Sequence, residues 1–106
     1  MFAKDFSLIE LFDRYAPLLT EKQQSAFSLY YNEDFSLAEI AEHTGTSRQA
    51  VRSLLQKTAS ELIRFENALH LMEQERKLSA LAERLKTASD DEVQKIVADI
   101  VSAAKE

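Results

Sequence analysis

The stretch SLAEIAEHTGTSRQAVRSLLQKT, Ser36 to Thr58, decides the fold of this chain. Ala41, Gly45, Val51 and Leu54 set its register. A small residue at Ala41 lets a second helix cross close above the first. Four residues on, the only glycine of the chain can take the positive φ of a tight turn. Val51 and Leu54 then point back to a shared core. Two short helices meeting at such a turn form a helix-turn-helix, whose second helix can lie in a DNA major groove.

Working outward, the apolar positions Phe6, Leu8, Ile9, Leu11, Phe12 and Tyr15 predict a first helix over Lys4–Tyr15, ended by Pro17 and the Leu18–Leu19 pair. Thr20 with Gln23 is a capping-box pattern that opens a second helix, which buries Phe27 and one of Tyr30 and Tyr31, the other being half-buried. Asn32, Glu33 and Asp34 form a polar break, and Ser36 with Glu39 repeats the capping box. Ser47 caps the helix after the turn, and Ser89 with Glu92 caps the last one, Ser89 to Ala104. That last helix is expected to bury Val93, Ile96, Val97, Ile100 and Val101.

Between Ser47 and Ser89 no Gly or Pro occurs. Leu55, Thr58, Leu62, Phe65, Leu69 and Met72 step alternately by three and four, a heptad-like seam. Leu55, Leu62, Phe65, Leu69 and Met72 read either as core within the domain or as a contact between two subunits, and the dimer contact is favoured because so small a domain offers few elements to cover so long a helix. The phase slips at Leu78, Leu81, Leu85 and Ala88, and Glu73 to Lys77 between them predicts a bend or break. The domain reading is a helix-turn-helix unit over 1–58 and a helical extension over 59–106 for dimerisation or packing, in the same compact unit.

One Gly, one Pro and no alternating apolar run make the fold all-α. At 106 residues with 45% apolar content, the chain is one domain's worth with a modest core. The absence of cysteine excludes disulfides, thiolate metal ligands and thiol nucleophiles. MFAKDFSLIE at the start lacks a signal peptide's apolar stretch, and no run approaches a membrane span, so a cytoplasmic location is expected. Net charge is −5, which argues against indiscriminate nucleic-acid binding. Its distribution matters more: residues 47–57 carry Arg48, Arg52 and Lys57 and no acid, while the rest of the chain is net −8. The single purely basic window is the start of the expected recognition helix, and the acidic body both aims it and weakens phosphate affinity.

The longer window LLTEKQQSAFSLYYNEDFSLAEIAEHTGTSRQAV, Leu18 to Val51, resembles the YlxM family of small bacterial proteins, which are similar to region 4 of sigma factors. The matching pieces are LLTEKQ, LYYNEDFSLAEIAE and SRQAV; the LYY and DFSL context is the more specific part. The resemblance implies a sigma-region-4-like DNA-binding domain, homodimers, and a regulatory connection to the signal recognition particle, whose GTPase gene commonly neighbours that of the family. Carried over residue by residue, the sigma-like pattern puts base contacts at Arg48, Gln49 and Arg52, with Ser47 at the cap. Arg can grip guanine in a fork and Gln can grip adenine likewise, each pair being worth about 1–3 kcal/mol of discrimination. Gln56 extends the Arg48–Arg52 face, and Lys57 suits a phosphate contact, which adds affinity without sequence preference.

This chain departs from the pattern at two places. Thr44 and Thr46 flank Gly45 where sigma-like motifs usually bury an apolar residue, so each buried hydroxyl needs a partner and the turn packs less tightly. Arg52 stands where YlxM relatives often carry an aromatic.

Plainer readings compete with these. The face of Arg48, Gln49 and Arg52 is also what a solvated helix would show, and a helix-turn-helix can serve as a protein-binding surface. The second functional reading is therefore a non-enzymatic accessory protein that binds the signal recognition particle through its RNA or its GTPase. A third is an adaptor touching RNA polymerase. Tyr30 and Tyr31 read as core rather than base-stacking platforms. His43 and His70 lie far apart without Cys to join them, so no metal site is assigned. Asp90, Asp91 and Glu92 favour the positive end of a helix rather than acid–base chemistry. With no phosphate loop, no nucleophilic triad and no metal spacing, neither catalysis nor a cofactor is expected.

Overall fold

The structure, a computed structural model, describes residues 4–104. Among them are six α-helices, a short 3-10 turn and no strand: α1 (Ser7–Tyr15), the 3-10 turn (Ala16–Leu18), α2 (Glu21–Tyr31), α3 (Leu37–Thr44), α4 (Arg48–Leu69), α5 (Leu71–Lys86) and α6 (Asp90–Ala104). They divide into two compact units between Leu69 and His70. The expected boundary after Thr58 and the expected single unit are both replaced by this division. The reason is that α4 runs on past Thr58 and packs its later turns into the first unit.

Local chemistry starts and stops the helices of the first unit. Asp5 accepts hydrogen bonds from the backbone N–H and the hydroxyl of Ser7, at 3.1 and 2.6 Å, so α1 opens at Ser7 rather than at Lys4. Lys4 instead pairs with Asp34 at 2.6 Å, with its ammonium 4.7 Å from the Tyr30 ring centre. Pro17 sits in the 3-10 turn, where its missing N–H breaks no helical bond. Both capping boxes form. Thr20 Oγ1 accepts from Gln23 N while Gln23 Oε1 accepts from Thr20 N, and Ser36 and Glu39 do the same.

The core of this unit gathers Leu8, Tyr15, Leu19, Phe27, Tyr30 and Ile40 around Val51, Leu55 and Leu62 of α4. Phe12, Phe27 and Tyr31 stack in sequence with ring centres 4.3 Å apart at each step. Two polar ties hold the second half of α4 to this body. The Tyr15 hydroxyl donates to Glu66 at 2.7 Å, and the buried Gln23 amide donates to Glu61 at 2.8 Å. Leu55, Thr58 and Leu62 are therefore covered by α1 and α2 of the same chain, and Phe65 packs against Tyr15 with ring centres 5.9 Å apart.

α4 ends where His70 takes a left-handed backbone, φ 57°, ψ 31°. The break falls there and not over Glu73 to Lys77, which lie inside α5. A stretch polar on all sides can stay helical when exposed and supported by neighbouring charges. Glu73 supplies that support, 3.8 Å from Lys77 and 3.1 Å from His70 Nδ1.

The second unit is a hairpin of α5 and α6, in which Arg84 pairs with Asp99 at 3.0 Å. Met72, Leu81 and Ile96 are buried, and Val93 and Ile100 are half-buried. Val97 and Val101, expected in the core, are 50% and 48% exposed. One facing helix covers only one side of α6, so the apolar stripe is wider than its cover. No helix of the described residues is long and apolar enough to cross a membrane.

Candidate nucleic-acid interface

Gly45 ends α3 with φ 70° and ψ 29°, the left-handed conformation that the sequence predicts. Its N–H and that of Thr46 both bond to the carbonyl of Ala41, the latter at 2.9 Å, which closes the turn. The flanking threonines do not fill the space beneath. Thr44 Oγ1 donates to the Ile40 carbonyl at 2.9 Å and lies 2.8 Å from Thr46 Oγ1, and both side chains are exposed.

Ser47 then starts α4: its Oγ accepts from Ala50 N at 3.0 Å and its carbonyl from Val51 N at 3.1 Å. Buried Ile40 and Ala41 of α3 meet buried Val51, so α4 crosses α3 closely and turns its opposite side outward. On that side Arg48, Gln49, Gln56 and Lys57 are exposed and Arg52 is half-buried.

At 3.6 residues per turn, Arg48, Arg52, Gln56 and Gln49 span an arc of roughly 100°. Lys57 lies about 180° from Arg48 around the same helix, at the far edge of the exposed arc. There it lines a shallow groove with Arg64, Glu61 and Thr20. The six residues expected at the interface therefore do not form one face. Four form one face, Ser47 is the cap behind it, and Lys57 flanks it beside Arg64. The first acid along α4 is Glu61, which is engaged by Gln23.

Two further basic residues, Arg64 and Lys22, lie near this surface. Arg64 shares Lys57's side of α4 at a spacing of seven, which periodicity could have shown. Lys22, in the first turn of α2, lines a groove with Thr46 and Ala50 at the start of α4. No local pattern announces that juxtaposition, because the fold brings together segments more than twenty residues apart.

The dimer seam is not one open stripe. Leu55 and Leu62 are 2% and 0% exposed inside the core of the first unit, Phe65 is half-buried there and Met72 is buried; Leu69, at 49%, is the exposed one. Among the described residues no group of three His, Cys, Asp or Glu side chains could hold a metal ion.

A tight Gly-centred turn, two crossed helices and a polar outward face on the second define a helix-turn-helix protein. A family model described as "Putative helix-turn-helix protein, YlxM / p13 like" matches residues 2–100, and the chain belongs to that family. It is 44% identical over 90 residues to a UPF0122 protein of Halalkalibacterium halodurans, covering 85% of this chain and 83% of the relative. It is also 36% identical over 110 aligned positions to a UPF0122 protein of Latilactobacillus sakei, covering 98% and 97%. A Clostridium kluyveri UPF0122 protein is 52% identical over 68 residues, an alignment that spans 61% of that relative's length.

Proposed function

We propose that this chain is a DNA-binding regulator that presents the first turns of α4 to the major groove of duplex DNA. The observation that carries the reading is the acid-free outward face of Arg48, Gln49, Arg52 and Gln56 immediately after the Ser47 cap. Arg48, Gln49 and Arg52 read bases, Gln56 extends their face, and Lys57, at the edge of the arc, meets phosphate. A cytoplasmic location, where a DNA ligand would be met, belongs to this proposal, as does a connection with the signal recognition particle pathway, which rests on the family resemblance.

We further propose a homodimer, which would bring two such faces to one duplex. With Leu55 and Leu62 covered by their own chain, the contact is placed on the second unit, where Leu78, Leu85, Val97 and Val101 remain exposed. A hairpin of fewer than about 40 residues usually needs such association for stability.

The acidic remainder of the chain, which weakens affinity for any polyanion, favours a second reading in which α4 docks on a protein, the particle's GTPase, rather than on nucleic acid. A salt series separates the two. If each of the three basic side chains displaces one counterion from the duplex, the two arginines in the groove as well as Lys57 at a phosphate, the slope of log K against log salt is about −2.7 for one chain on duplex DNA and about −5 for a dimer. The Arg48→Ala/Arg52→Ala variant should reduce the slope by about two per chain and lose sequence preference. Binding to the particle's GTPase that is independent of both arginines, with no salt-dependent affinity for duplex DNA from its own operon, would refute the DNA reading.

A further inference from the structure

We propose that the groove enclosed by α2, α3 and the first two turns of α4 is a binding site for a small aromatic monocarboxylate. The groove has a volume of ≈ 230 Å³. Its walls are Ala26 of α2, Ile40 of α3, and Val51 and Leu54 of α4. The two threonines at the turn line its mouth, 2.8 Å apart at their hydroxyls and exposed.

Size and charge name the ligand. A dry cavity of about 150 Å³ lined by aliphatic side chains accepts benzene. The groove here is larger by roughly the room that one carboxyl group needs, and smaller than the range of about 300–1,000 Å³ typical of drug-sized ligands. Its lining holds one cation, Lys22, and no acid, and the hydroxyls of Ser25, Thr44 and Thr46 complete a polar rim. An apolar ring inside and a carboxylate at the rim meet each of these features. A cation would face Lys22, and a neutral ring would leave it unused.

The site stands independently of what α4 binds, and its test contains no DNA, so its failure and that of the DNA reading are separate results. The experiment is an amide-resolved NMR titration of the full chain with benzoate, benzyl alcohol and benzylamine. Benzoate should give saturable shifts confined to α2, α3 and the start of α4, and should bind more tightly than either other probe. Lys22→Met should weaken benzoate about threefold, the loss of one partly exposed ion pair. Ala50→Leu, which adds bulk to the α4 wall, should abolish saturation; far-UV circular dichroism checks its fold, and Thr46→Leu fills the groove from the turn should Ala50→Leu not fold. No saturable shifts with benzoate would overturn the proposal. So would equal binding of benzyl alcohol or benzylamine, or undiminished benzoate affinity in a folded groove-filling variant.

Discussion

Leu62→Ala tests whether the seam of α4 is core or contact. Leu62 is fully buried among its own chain's residues, one turn from Thr58 and two from Leu55, under a body tied down by the Tyr15–Glu66 and Gln23–Glu61 bonds. Truncating a leucine at such a site removes its transfer free energy and leaves a cavity that rigid neighbours cannot fill, a loss of about 2–5 kcal/mol. With α1, α2 and α4 cross-tied, collapse is limited and the upper half of that range is expected. The same truncation at Leu69, which is 49% exposed, should cost under about 1 kcal/mol. The three tyrosines, Tyr15, Tyr30 and Tyr31, all lie in the first unit and there is no tryptophan. Near-ultraviolet circular dichroism during urea unfolding thus reads that unit alone. The loss should be the same across a wide range of protein concentration. A loss below about 1 kcal/mol, or one that changes with concentration, would refute the assignment of this leucine to an intramolecular core.

Gly45→Ala should cost about 1–2 kcal/mol by the same urea assay. An added Cβ meets nothing within 4 Å, so the whole cost comes from the left-handed backbone, and Gly45→Asn should cost less. Leu78→Glu with Val97→Glu should convert a dimer to a monomer in sedimentation while leaving the tyrosine signal of the first unit unchanged; an unchanged sedimentation coefficient removes the contact proposed on the second unit. The hydrogen bond from Lys4, followed by its charge, holds the Asp34 carboxyl below the ordinary carboxylate range. Because the folded value is the lower one, the linked stabilisation is present above the ordinary value of 3.8 and is lost as pH falls through the folded value. In Lys4→Ala the Asp34 carboxyl should titrate at its ordinary pH by NMR, and an unmoved titration would show that Lys4 is not the cause.

The turn was the most legible part of the chain because its chemistry is local. Gly45 can be read as left-handed, and Thr20–Gln23 and Ser36–Glu39 as capping boxes, from three or four neighbouring residues, and each forms the bonds expected of it. The face of Arg48, Gln49, Arg52 and Gln56 follows from that register, since fixing the cap at Ser47 fixes which residues point outward. The end of α4 was not legible. His70 adopts a left-handed backbone without being glycine or asparagine, so no residue type announces the stop, whereas the charged run from Glu73 to Lys77 resembles a break and is a helix.

What covers the seam was not legible for a different reason. A three-and-four spacing states that a helix buries one stripe, but it carries no information on which chain supplies the cover. Here that information lies in polar side chains on other helices. Gln23 completes the capping box of α2 and also donates to Glu61, and Tyr15 closes α1 and donates to Glu66. Each bond spans more than thirty residues of sequence, and each holds α4 against the body of its own unit. An intramolecular bond of this kind needs no second molecule to be ordered, so the chain's own helices take the stripe first. What is left for another copy is the apolar surface still exposed after that, Ile63 and Leu69 on α4 and the larger set of Leu78, Leu85, Val97 and Val101 on α5 and α6.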